Sequence, residues 1–450
     1  MSLLLRIYSF AMWLGQPLLR RKLARRALAE PGYAEAVEER FGHYAQAAQR
    51  VDAARPLVWV HAVSLGETRA AAVLVSRLRS ALPGMRLLLT HGTATGRAQG
   101  RALLQDGDLQ VWQPWDTAGA VERFLHHFQP RVGLLMETEV WPLLVDRCAR
   151  QGVPLCLVNA RLSEKSLASA LRLGWLSRPA YAGLQGVWAQ TQADADRLAA
   201  LGARVRGVTG NFKFDAQPDA RQLAQGRAWQ MAVPQGGGRA LPVVLFASSR
   251  EGEEGLWLQA LLRLRQWRAE GRAHSAQAAG SAVPAVQWLV VPRHPQRFAE
   301  VAEMVRAAGL SVACRSDWTQ APTAADVWLG DSMGEMALYF GLAQVALLGG
   351  SFAPLGGQNL IEAAACGCPV ITGPHTFNFE EAASGAVQAD AAVRVADMEE
   401  AVRQALQLVA DHPRLAQLQG NALRWSQQHR GAADRTVQGV LKTLTFPAAG

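Results

Sequence analysis

VWVHAVSLGETRAAAVLVSRL, running from Val58 to Leu78, changes period part-way through. It begins as a short apolar run rich in β-branched and aromatic residues, the pattern of a strand buried on both faces. A small-residue turn follows at Ser64-Leu65-Gly66, and the rest has the spacing of a long helix. Strand, tight turn and helix together form the repeating unit of a parallel α/β sheet. Glu67 stands at the turn, three residues after Ser64, which is the spacing of a capping box. At this point Glu67 has two readings: a carboxylate that ties off the helix, or a base held ready beside a substrate.

The same unit recurs in both directions. LVWVHAV, MRLLLTH, LQVWQPW, RVGLLME, PLCLVNA, GVWAQT and VRGVTG read as buried strands, with helical stretches such as AVERFLHHF between them. The alternation weakens after Asp215, where a polar and then glycine-rich stretch reads as a connection. It restarts at LPVVLFASS and continues through VQWLVVPRH, LSVACRS, DVWLGDS, VALLGGS and CPVITGP. RAHSAQAAGSAVPA, inside this second half, reads as a loop insertion, and the last stretch from Asp397 is helical. The expected domains are 1–26, an N-terminal helix; 27–215, a first Rossmann-like domain; 216–240, a linker; 241–425, a second Rossmann-like domain; and 426–450, a C-terminal helix packing back on the first. Two such halves predict a ligand cleft between them, with ligands at the carboxyl ends of the strands.

A chain of 450 residues, half of them hydrophobic and 18% charged, is globular and large enough for two or three domains. Its formal charge of +9 favours phosphate-rich partners. No zinc-finger spacing, basic zipper or ribonucleoprotein motif occurs, so nucleic acid is not an expected partner. Five scattered cysteines, Cys148, Cys156, Cys314, Cys366 and Cys368, fit no disulfide framework or zinc site and imply a reducing compartment. No metal and no cofactor is expected: Asp106–Asp108 and Asp194–Asp196 read as structural, and His61, His91 and His294 lack metal-ligand spacing. The N-terminal MSLLLRIYSFAMWLGQPLLRRKLARR is apolar, then basic. It is too short for an ordinary membrane span and lacks a cleavage site. It predicts either a short tilted anchor or a helix lying in the interface, with the basic flank on anionic lipid in the cytoplasm.

Three sites repeat the turn chemistry of the opening stretch: Ser64–Glu67, Ser332–Glu335 and Asn359–Glu362. Each has capping-box spacing, and each meets a helix N-terminus, which offers free N–H groups and a positive dipole to an anion. Glycines in LLGGSFAPLGGQNLIEAAACGCPVITGP permit close backbone approach before the helix near Asn359. VVPRHPQRF ends a strand with Arg293 and His294, and Arg293 suits a phosphate. LLMETEVWP ends one with Glu137 and Glu139, expensive to bury unless used or paired. NARLSEKS adds Asn159, Arg161, Ser163 and Lys165, and GNFKFD places Lys213 at the end of the first half.

As an ordered set, HAVSLGE, METEVWP, NARLSEKS, GNFKFD, PRHPQRF, DSMGEM and GGSFAPLGGQNLIEAAACGCPVITGP resemble the 3-deoxy-D-manno-octulosonic acid (Kdo) transferases of lipopolysaccharide synthesis. The resemblance spans roughly residues 56–380 and implies a GT-B glycosyltransferase of two Rossmann-like domains. It implies transfer of Kdo from CMP-Kdo to a lipid A precursor at the cytoplasmic face of the inner membrane. It implies Glu67 as the base. It carries the CMP-Kdo positions onto Pro292, Arg293 and His294, onto Met333, Gly334 and Glu335, and onto Asn359, Leu360, Ile361 and Glu362. The last site departs mildly from the family's Asn-Pro-Leu-Glu. Ser64, Gly66, Glu139 and Lys213 are expected to support the cleft. The competing readings are a GT-B transferase using another nucleotide sugar and a non-catalytic membrane-bound binding module. A nicotinamide-dependent oxidoreductase is disfavoured, since HAVSLGE lacks the glycine fingerprint.

Overall fold

The computed structural model describes residues 3–52, 54–232, 241–274, 284–319 and 321–443. The glycine-rich part of the connection, 233–240, and most of the Ala/Ser insertion, 275–283, lie outside the described residues. The chain forms two compact units: Met1–Ala216 with His429–Gly450, and Gln217–Gln428.

The first unit is built on seven strands: β1 (Leu57–His61), β2 (Arg86–His91), β3 (Leu109–Trp112), β4 (Val132–Met136), β5 (Leu155–Ala160), β6 (Gly186–Ala189) and β7 (Val205–Val208). They pair in the order β3-β2-β1-β4-β5-β6-β7, all parallel. Strands β1, β4 and β5 are buried at every residue, as a sheet covered on both faces requires. Alternate residues feed two cores. Trp59 packs with Phe124 and Phe128 on one face, while Val58 and Val60 pack with Ala71, Leu74 and Val75 on the other. Val437 and Val440 of the C-terminal helix Ala432–Thr443 complete that second core.

The second unit carries β8 (Val243–Ser249), β9 (Gln287–Pro292), β10 (Val312–Cys314), β11 (Val327–Leu329), β12 (Val345–Leu348), β13 (Val370–Thr372) and β14 (Ala392–Arg394). This sheet is also parallel and runs β10-β11-β9-β8-β12-β13-β14. Every apolar run named from the sequence forms a strand. β14 is not foreseen, because three residues in an alanine-rich stretch carry no readable period.

In both sheets the strand order reverses beside the unit's first strand. The reversal lies between β1 and β4 in one sheet and between β8 and β12 in the other. Crevices at such points, beyond the carboxyl ends of the strands, are where open α/β sheets bind ligands.

The N-terminus forms two helices, Leu3–Leu14 and Gln16–Ala29, that meet at Gly15. The first is about 18 Å long at 1.5 Å per residue, and no described helix is long and apolar enough to cross a membrane. Ile7, Phe10 and Trp13 are more than half exposed. Tyr8 turns inward, and its hydroxyl donates to Asp116 Oδ2 at 3.0 Å.

Candidate active site

The first reversal point gathers carboxylates. The chain leaves β1 through Ala62 and Val63 into Ser64, the N-cap of the helix Leu65–Ala81. Ser64 Oγ accepts from the Glu67 N–H. The Glu67 carboxylate in turn accepts from the Val63 N–H at 2.9 Å and from the Ser64 hydroxyl at 3.0 Å. Glu67 therefore does belong to a cap. Burial nevertheless pushes its carboxyl up to about 7, and the charges of Glu137 and Glu139 add to that rise against the two hydrogen bonds. At neutral pH such a group exchanges a proton readily, which suits a general base.

Its neighbours come from the next strand across the reversal. Glu137 follows β4 and sits in the left-handed region at φ 56°, a conformation costly for a side chain of its size. Arg161 holds it at 2.7 Å. Glu139 accepts from the Trp141 indole N–H at 2.9 Å, and His61 Nε2 lies 4.0 Å from the same oxygen. Burial, then Glu137, raises the Glu139 carboxyl. His61 itself is buried and held down to about 3, so it is neutral there.

Lys213 joins this group from the turn Phe212–Asp215. Asn159, left-handed at φ 50° near the end of β5, accepts from the Phe212 N–H and so fixes that turn to the sheet. Burial lowers the Lys213 ammonium, while Glu137 and Glu67 pull it back up. Gly66 has no conformational need to be glycine: a Cβ there would meet only Ser64 Oγ, at 4.0 Å. It leaves the space over the turn open.

The carried-over donor positions sit at the carboxyl ends of strands in the second unit. Pro292 closes β9, and Arg293 and His294 follow it, the Arg293 N–H donating to Ser249 O at 3.0 Å. Met333, Gly334 and Glu335 follow β11; Met333 is 54% exposed and Gly334 has φ 81°. Asn359 caps the helix Leu360–Ala365 through the Ile361 N–H. Leu360 and Ile361 point into the core, so they reach a ligand only through their backbone, whereas Glu362 is half-buried.

The three Ser/Asn-to-Glu sites are not alike. Ser64 and Asn359 are true caps. Ser332 is not: Glu335 itself occupies the N-cap position of the helix Met336–Leu342 and makes no capping hydrogen bond. Instead Arg315, stacked by Trp229 and Trp318, binds Glu335 at 2.9 Å, and the Ser332 hydroxyl donates to its other oxygen. Two of the aspartates read as structural bind neighbouring groups. Asp108 pairs with Arg79 and accepts from the Leu87 N–H, and Asp194 accepts from the Leu162 N–H.

Sequence reasoning passed over two groups. Asp116, 2% exposed, accepts from the Leu143 and Leu144 N–H groups at 3.1 and 2.8 Å. It thereby caps the helix Pro142–Arg150, whose own N-cap, Trp141, has no oxygen to offer. Glu253, fully buried, gathers the N–H groups of Arg250, Gly350, Phe352 and Ala353 and ties the glycine loop to the end of β8. Its only sequence signal is a pair of adjacent acids at a helix start, which reads as ordinary dipole pairing.

A family model described as "3-Deoxy-D-manno-octulosonic-acid transferase (kdotransferase)" matches residues 35–216. A 3-deoxy-D-manno-octulosonic acid transferase of Bordetella pertussis is 48% identical over 389 residues, 85% of this chain and 86% of that protein. The chain belongs to the Kdo transferase family. A Haemophilus influenzae protein of the same name is 30% identical over 440 residues, 96% of each chain. Among solved structures, UDP-GlcNAc 2-epimerase from Neisseria meningitidis has a TM-score of 0.55 at 14% identity, covering 86% of this chain and 100% of that one. That likeness is one of fold alone, and with the two parallel seven-stranded sheets it gives this Kdo transferase a GT-B-like fold.

Proposed function

We propose that this Kdo transferase moves Kdo from CMP-Kdo to a lipid A precursor with Glu67 as its general base. The observation that carries the assignment is the Glu67 carboxylate at the sheet's reversal point, raised to about 7 by burial and by two neighbouring acids. Glu67 takes the proton of an acceptor hydroxyl as its oxygen attacks the anomeric carbon of Kdo. The bond from that carbon to the CMP phosphate breaks through an oxocarbenium-like transition state, and CMP leaves. Lys213, Arg293 and backbone N–H groups supply positive charge to the anions of donor and leaving group. Pro292–His294, Met333–Glu335 and Asn359–Glu362 hold the nucleotide, Glu362 taking the ribose. In this reading 27–215 is the acceptor domain and 241–425 the donor domain.

The first helix lies in the interface at the cytoplasmic face of the inner membrane rather than crossing it. Its length and its exposed Ile7, Phe10 and Trp13 support that placement, as does the run Arg20, Arg21, Lys22, Arg25 and Arg26 beyond it.

The test is CMP release from CMP-Kdo with a tetraacylated lipid A precursor in detergent. Acceptor-dependent CMP and a Kdo-bearing lipid are expected. Neither product, with other nucleotide sugars consumed instead, would overturn the donor assignment. Lipid binding without turnover of any donor would favour the binding-module reading.

A further inference from the structure

The segment after β8 holds a cation that the site described so far does not use. Ser248 is left-handed at φ 56°, and Gly349 packs so tightly beneath it that a Cβ would come within 2.1 Å of the Ser248 carbonyl oxygen. The acids that follow are committed elsewhere. Glu253 binds four backbone N–H groups. Glu254 binds the Ser249 hydroxyl at 2.9 Å and Arg297 at 3.2 Å, and Glu251 lies 3.5 Å from Arg297. Arg250, in the middle of them, donates its backbone N–H to Glu253. Among the described residues its guanidinium makes no hydrogen bond and no ion pair, and its Nε is buried without a partner. An arginine donor withdrawn from water and left unpaired has a cost that a bound anion would offset.

Its location names the anion. Arg250 stands at the carboxyl end of β8, the strand at which the second sheet reverses. Beside it, at the end of β9, lie Arg293 and His294. Burial first, then the charges of Arg250 and Arg293, keep His294 below its usual value, so the cluster meets an anion with two permanent charges and a neutral imidazole. We propose that Arg250 binds an oxyanion of the nucleotide-sugar donor, its phosphate or its sugar carboxylate. The inference rests on the donor assignment made above, and Arg250 is a residue beyond those carried over from the family. The rigid turn fixes the guanidinium before the donor arrives: Ser248 is held by Gly349, and Glu253 and Glu254 are satisfied without it. No native ion pair is removed when Arg250 is replaced, so the variant is expected to fold.

The experiment compares wild type with Arg250→Ala and Arg250→Lys in the full chain. It measures CMP and cytidine affinity by calorimetry, KM for CMP-Kdo, and the melting temperature. Loss of one charged hydrogen-bonding group predicts a roughly 20-fold weakening. Weaker CMP binding with cytidine binding unchanged assigns the contact to the phosphate. Unchanged CMP binding with a raised KM for CMP-Kdo assigns it to the carboxylate. Either result, with Arg250→Lys recovering part of the loss, supports the proposal. CMP affinity and KM both within about twofold of wild type would overturn it, as would equal losses in both variants accompanied by a lower melting temperature. A wild type that neither binds CMP nor consumes CMP-Kdo would instead remove the donor assignment on which the proposal stands.

Discussion

Ser64–Glu67 and Ser332–Glu335 share one spacing and end in different chemistry. At the first, the carboxylate accepts a backbone N–H and a hydroxyl, and two further acids face it from β4. At the second, a carboxylate of the same kind is held by an arginine braced between two tryptophans. Burial and the two neighbouring acids raise the Glu67 carboxyl to about 7, whereas Glu335 is tied to a guanidinium. The local motif is common to both, and the residues that long-range packing brings alongside decide the role.

The sharpest way to break that contrast is substitution by the neutral isostere. Glu67→Gln is expected to lower kcat by about 10³-fold, the scale of a lost general base, with circular dichroism unchanged. Glu335→Gln is expected to leave kcat within severalfold and to raise KM for the donor. Equal effects on kcat at both sites would erase the distinction.

A smaller effect sharpens it. Glu139→Gln removes one of the like charges that raise Glu67. The acid limb of kcat/KM should then move to lower pH by about half a unit, read from a pH–rate profile. A limb that stays in place would mean that burial and Glu137 set the value without Glu139.

Stability separates the two turns further. Ser64→Ala removes a true N-cap and should cost about 1 kcal/mol, whereas Ser332→Ala should cost less, since Ser332 caps nothing. Thermal melts of the two variants check this. The raised Glu67 carboxyl adds a pH signature. The stability it confers is complete below the ordinary glutamate range and is lost as pH rises through about 7. Glu67→Gln should therefore melt higher, relative to wild type, at pH 8 than at pH 5. The smallest effect is expected at Gly66→Ala, with an unchanged melt and a raised KM for the acceptor, because the added methyl fills only the open space over the turn.

The strands were legible because parallel sheets leave unbroken apolar runs such as LVWVH and VGLLM, and their ends therefore marked the turns that bear chemistry. Glu67, Glu137, Glu139 and Lys213 could each be suspected from those ends. Their convergence could not be, because it depends on β4 lying beside β1 although β2 and β3 come between them in sequence. Asp116, Glu253 and Arg250 escaped for a related reason. Each acts through partners distant in sequence or through the absence of a partner, and neither leaves a local pattern. Ser332–Glu335 misled because spacing alone cannot tell a cap from an ion pair closed by Arg315, 20 residues away.

The most direct test of Glu67 as base is the pH dependence of kcat/KM for CMP release, measured side by side for wild type and Glu67→Gln. Wild type is expected to show a limb that rises with pH and levels off above about 7, and the variant a residual rate that is flat across the same range. A variant that keeps both the limb and most of the rate would return Glu67 to the helix cap and place the base elsewhere.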